Sequence, residues 1–100
     1  MKIDFERSGG FAGMIFSTSI DTEKMAAEDA RQIESLVASS GFFDLPEKIT
    51  SPTPGADRFV YRLSVEHAGR RHQVEVTESA VPEELDPLIR HLSLLARPRR

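Results

Sequence analysis

Tyr61-Arg62-Leu63-Ser64-Val65-Glu66-His67-Ala68-Gly69-Arg70-Arg71-His72-Gln73-Val74-Glu75-Val76 decides the fold, because its two halves match on both faces when Ala68-Gly69 forms a two-residue turn. Tyr61 then meets Val76, Leu63 meets Val74 and Val65 meets His72 on an inner face, while Arg62 meets Glu75 and Glu66 meets Arg71 on the outer. Opposed charges directly across a ladder contribute roughly 0.2–1 kcal/mol per pair. A slip of one residue would lose them together with the apolar match, so the register is set twice.

Working outward toward the N-terminus, Ile3 and Phe5 alternate with Lys2, Asp4 and Glu6, and Met14, Phe16 and Ile20 alternate with Ser17 and Ser19. This period of two predicts a second pair of half-buried strands. The run Ser8-Gly9-Gly10-Phe11-Ala12-Gly13 joins them. A two-residue turn at Gly9-Gly10 would set Ile3 against Phe16 and Phe5 against Met14, and would turn Phe11 away from the core with Asp4, Ser8 and Ile15. A bulge at Gly13 would reverse that orientation.

Between the hairpins, Ala26, Ala30, Ile33, Leu36 and Val37 recur at helical spacing opposite Glu28, Asp29, Arg31, Gln32 and Glu34. The pattern predicts an amphipathic helix over about Ala26 to Ser40, ended by Gly41 and followed by an apolar clamp of Phe42, Phe43 and Leu45. Glu47 to Asp57 carries Pro52, Pro54 and Gly55 without periodicity and reads as a long loop. Pro82-Glu83-Glu84 reads as the first turn of a last helix whose stripe is Leu85, Leu88, Ile89, Leu92 and Leu95. Pro87 falls early enough in it to be tolerated, and Arg97, Arg99 and Arg100 complement its negative end.

The order ββαββα, with one apolar face on each strand, predicts an α+β two-layer sandwich: a four-stranded antiparallel sheet with both helices on one face. A helix of about fifteen residues rises roughly 22 Å and a strand of about seven roughly 23 Å, so each helix should cross the sheet once. The Gly9-Gly10 turn, the loop from Pro46 to Asp57 and the bend from Glu78 to Val81 then share one end. The Ala68-Gly69 turn, the start of the first helix and the C-terminus share the other. A rim of three non-contiguous segments follows, and its candidate partner-binding residues are Ser8, Gly9, Gly10, Phe11, Ala12, Gly13, Pro54, Gly55, Ala56, Asp57, Glu78 and Ser79.

Composition narrows the chemistry. One hundred residues with 39% apolar content suit a single domain over 1–100. The chain has no cysteine, so no disulfide or thiolate site is expected. Thirteen bases against sixteen acids leave a net charge of −3, which disfavours nucleic acid as a partner. The charged, interrupted N-terminus is unlike a secretory signal and no stretch is long enough for a membrane span, so a cytoplasmic location is expected. His67, His72 and His91 assemble no metal spacing and read as structural or exposed, and neither a metal nor a cofactor is expected. With no nucleophile elbow and no phosphate loop, an enzyme is not expected either.

Two readings stand for each of two rim segments. Phe11 either folds back over the sheet edge or anchors a partner. Pro54-Gly55-Ala56-Asp57 reads most simply as a turn feeding the third strand, the alternative being that Asp57 offers its carboxylate to a partner's metal. For the whole chain, the alternative to a rim that binds a partner is a non-enzymatic interaction module or homodimeric accessory domain, docking through a sheet edge or through Ile15 and Val60.

Ser8-Gly9-Gly10-Phe11-Ala12-Gly13, Gly41-Phe42-Phe43-Asp44-Leu45-Pro46, Pro54-Gly55-Ala56-Asp57-Arg58-Phe59 and Glu78-Ser79-Ala80-Val81-Pro82, in that order across nearly the whole chain, resemble the emfourin family. Emfourins are small protein inhibitors of protealysin-like enzymes, which are thermolysin-like zinc metalloproteases. The resemblance implies a chain, monomeric when free, that covers the active-site cleft of such a protease. Any zinc would then be the target's.

Overall fold

The computed structural model describes residues 1–9, 13–50 and 59–98. Alternation over Lys2 to Gly9 and Ile15 to Asp21 yields strands β1 (Lys2–Gly9) and β2 (Ile15–Asp21). Helix α1 (Ala27–Ser40) follows, with Ile33 and Val37 buried and Gly41 closing it in the left-handed conformation. A 3₁₀ turn, Phe42–Asp44, buries Phe42 and leads to β3 (Lys48–Ile49). Strands β4 (Phe59–His67) and β5 (Arg70–Thr77) form the second hairpin, a 3₁₀ turn spans Glu78–Ala80, and α2 (Asp86–Leu95) ends in β6 (Arg97–Pro98). The fold is α+β, with a mixed six-stranded sheet ordered β3-β5-β4-β1-β2-β6.

The β4–β5 register is the one expected: Tyr61 opposes Val76, Leu63 Val74, Val65 His72, Arg62 Glu75 and Glu66 Arg71. Ala68 and Gly69 both adopt positive φ, 53° and 79°, the twist a two-residue turn needs between right-handed strands. On the outer face, Arg62 Nε donates to Glu75 Oε1 at 2.9 Å and Nη1 to Glu6 Oε1 at 3.3 Å, so one guanidinium ties three strands. On the inner face, Ile3, Phe5, Leu63, Val65, Val74 and Val76 bury against Ile33, Val37, Leu88, Ile89 and Leu92, which puts both helices over that face. His72 lies among them, with Nε2 2.7 Å from Leu45 O and its ring edge-on to Phe42. Its role there is structural. No helix among the described residues is long and apolar enough to cross a membrane.

The structure corrects the expected architecture in four places. First, β1 and β2 pair Ile3 with Ile20 and Phe5 with Thr18, so Gly9-Gly10 is not the turn. Gly9 belongs to β1 and pairs with Phe59 on β4. The displacement is an even number of residues and leaves every side chain on its face, so alternation alone is blind to it. What decides it is Ile20 packing on the core while Met14 is left 45% exposed, together with a 2.6 Å hydrogen bond from Ser19 Oγ to Asp4 Oδ1.

Second, the sheet has two further strands. Lys48–Ile49 pairs parallel with Glu75 and Val76, and Arg97–Pro98 pairs antiparallel with Ser17 and Phe16. Two-residue strands are too short to show a period. Third, the last helix begins at Asp86, with Pro87 in its first turn; Leu85 N and Asp86 N both donate to Pro82 O, forming a preceding turn. Leu95, expected in the buried stripe, is 38% exposed, although the helix end is closed by Ala96 N donating to Leu92 O.

Fourth, β6, the last described strand, lies at the rim end and not at the opposite end expected for the C-terminal segment, because Pro98 pairs with Phe16 near the start of β2. A helix of ten residues rises only about 15 Å, too short to run the length of the strands as a longer one would. Arg97 does bond the helix end as its charge suggests, its Nη1 donating to Leu94 O and Ala96 O. Arg99 and Arg100 lie outside the described residues.

Candidate functional site

The ladder brings the borders of the three rim segments together. Ser8 on β1 lies between Ile15 on β2 and Val60 on β4, Val60 lies beside Thr77 at the end of β5, and Gly9 opposes Phe59. Gly9, where the chain enters the glycine-rich run, is therefore the neighbour of the first residue after 51–58, and Ile15, beyond the run, lies one strand further across the sheet. Glu78 and Ser79 continue from Thr77 as an exposed 3₁₀ turn. Ser8 is half-buried and receives a long contact, 3.5 Å, from Arg62 Nη1. Gly9 and Gly13 take φ of 119° and 60°, so the run is bounded on each side by backbone that other residues adopt with strain. Gly10, Phe11, Ala12, Pro54, Gly55, Ala56 and Asp57 lie outside the described residues.

A second feature of this end escaped sequence reading. The inner-face sequence Ile3, Phe5, Arg7 continues the alternation with a charge, and Arg7 Cζ lies 4.8 Å from the Phe16 ring centre and 5.0 Å from that of Phe59. Its Nε is buried and has no hydrogen-bond partner among the described residues. Beside it a groove of about 480 Å³ is lined by Tyr61, Glu78, Asp86, Arg90, Leu94 and their neighbours. Arg90 is held by Asp86 across one helical turn, Nε to Oδ2 at 2.6 Å. Burial raises the Tyr61 phenol above its ordinary value of 10.0; Glu78 and Asp86 push the same way and Arg7 opposes them. The signal available in the sequence was the arginine itself, standing where the period calls for an apolar residue.

Among the described residues no group of His, Cys, Asp or Glu could hold a metal ion. The emfourin family model matches residues 5–93, which takes in β2 to β5 and α1 whole and most of β1 and α2. The chain belongs to the emfourin family. Membership implies a protease-inhibitor role in general. No curated protein and no solved structure matches the chain.

Proposed function

We propose that this emfourin inhibits a thermolysin-like zinc metalloprotease by covering its active-site cleft with the rim formed by the 8–13 run, the segment 54–57 and Glu78-Ser79. The observation that carries this reading is the Gly9–Phe59 pairing, flanked by Ser8–Ile15 and Val60–Thr77, since it makes three sequence-distant borders contiguous. Thermolysin-like proteases favour a bulky apolar residue just after the scissile bond, and Phe11 is the ring offered to that pocket. Burying one such ring contributes about 1.5–3 kcal/mol, against roughly 12 kcal/mol for a nanomolar complex. An interface of about 1,600 Å² is the usual size, so the whole rim is engaged and not one side chain. Resistance to cleavage would come from the ladder pairs of Ser8, Gly9 and Ile15, which hold the borders of the run so that the peptide cannot reach a cleavable geometry.

The direct test mixes the purified chain with a thermolysin-like enzyme and follows peptide hydrolysis. Stoichiometric loss of hydrolysis is expected, and full activity at excess chain would end the reading. The chain is proposed to be a monomer when free. A stable dimer by light scattering that leaves the protease active would point instead to an interaction module using Ile15 and Val60.

A further inference from the structure

We infer that Arg7 is a positioning residue for the rim: its guanidinium, lying against both Phe16 and Phe59, fixes the strand that leaves the glycine-rich run relative to the strand that leaves 51–58. The inference rests on reading the rim as the protease-binding edge. Phe16 is directly opposite Arg7 on β2 and Phe59 is diagonal to it on β4, so the contact spans the strands on both sides of β1. Phe59 is the first residue of β4 and Phe16 the second of β2, so both stand at the strand ends nearest the rim, Phe16 being paired on its other side with Pro98.

The side chain is an odd choice for stability alone. A buried Nε without a partner carries a desolvation penalty, and an apolar side chain of similar length would fill the same space without it. Glu78 and Asp86 line the same groove as Arg7, Asp86 being held by Arg90, and neither carboxylate accepts from Nε. What a guanidinium supplies and methionine does not is a flat cation attracted to the faces of aromatic rings, which sets direction as well as distance. A protease inhibitor that must resist cleavage gains from that direction, because its rim has to remain in one geometry under attack.

Amide hydrogen exchange on the free chain and inhibition of a thermolysin-like protease separate the two layers of this claim. In R7M, exchange in residues 9–16 and 57–61 should accelerate about tenfold while residues 63–76 and the melting temperature stay as in the native chain. The inhibition constant should rise about tenfold, with R7K intermediate. Native exchange at both rim segments in a folded R7M overturns the positioning role, whatever the inhibition does. Locally faster exchange, with a native chain that inhibits no such protease, upholds the positioning role and overturns the protease reading alone. If R7M does not fold, F59L removes one ring and keeps the arginine; it should loosen residues 57–61 in the same way, and unchanged exchange there would equally overturn the proposal.

Discussion

The β4–β5 hairpin and the β1–β2 hairpin are built from strands of similar length, yet they solve different problems. In β4–β5 the register is fixed by apolar pairs on one face, charge pairs on the other and a two-residue turn between them. In β1–β2 the last pair is Ser8 with Ile15, and the residues between them bring glycines and one phenylalanine where the other hairpin has a tight turn. The first spends its sequence on specifying itself. The second takes its register from the neighbours it packs on, Val65 and Leu63 across β4 and the core beneath Ile20, and its connecting residues are released for another use.

If that division is right, damage to the two hairpins should appear in different measurements. The largest effect belongs to Leu63, which is buried at the centre of the sheet. L63A should lower unfolding free energy by about 2–5 kcal/mol in denaturant titration, losing inhibition only by losing the fold. Next comes F11A, expected to raise the inhibition constant about 10- to 100-fold with an unchanged melting temperature, since a ring worth about 1.5–3 kcal/mol leaves the interface but not the core. Equal inhibition by a folded F11A would remove this residue from the site. Loss of stability would instead mean that the ring folds back on the sheet.

A smaller effect of opposite sign is expected at the tight turn. Ala68 holds φ of 53°, a conformation that costs a residue with a Cβ roughly 1–2 kcal/mol and that asparagine tolerates better. A68N should therefore raise stability by about 0.5–1 kcal/mol in the same titration, with no change in inhibition, because the turn lies at the far end of β4 and β5 from the rim. A lower midpoint would show that the Ala68-Gly69 turn is not what limits this hairpin.

How much of this was legible in the sequence follows from the same contrast. The second hairpin could be read to the residue because opposed charges such as Arg62 and Glu75 break the degeneracy of its apolar pattern. The first could be read only as to face, because Ile3 meets an apolar side chain whether its partner is Phe16 or Ile20, and no charge pair distinguishes them. Helix α1 announced itself over four turns, whereas β3 and β6 are tertiary consequences: Ile49 packs on a core already assembled, and Arg97–Pro98 extends along a strand whose position depends on the whole sheet. The rim's borders followed from element order. Arg7 did not, since its significance needs the two rings that only the ladder brings to it.

The finest probe of the boundary between the two regions is Tyr61, the chain's one tyrosine, which belongs to the self-specifying hairpin but faces the groove next to Arg7. There is no tryptophan, so absorbance near 295 nm reads its phenolate alone. Burial first, then Glu78 and Asp86, disfavour the phenolate, so the folded chain should titrate above 10.0. The neutral form is the one the fold prefers; its contribution to stability is complete below pH 10 and is lost as pH rises through the folded value. Y61F should remove that alkaline slope and leave stability at pH 7 nearly unchanged. Replacing Arg7 by methionine deletes a cation that opposes the shift, so R7M should move the Tyr61 midpoint further upward. An unmoved midpoint would mean that the arginine and the phenol do not share an environment, and the rim would then begin beyond Tyr61 and not at it.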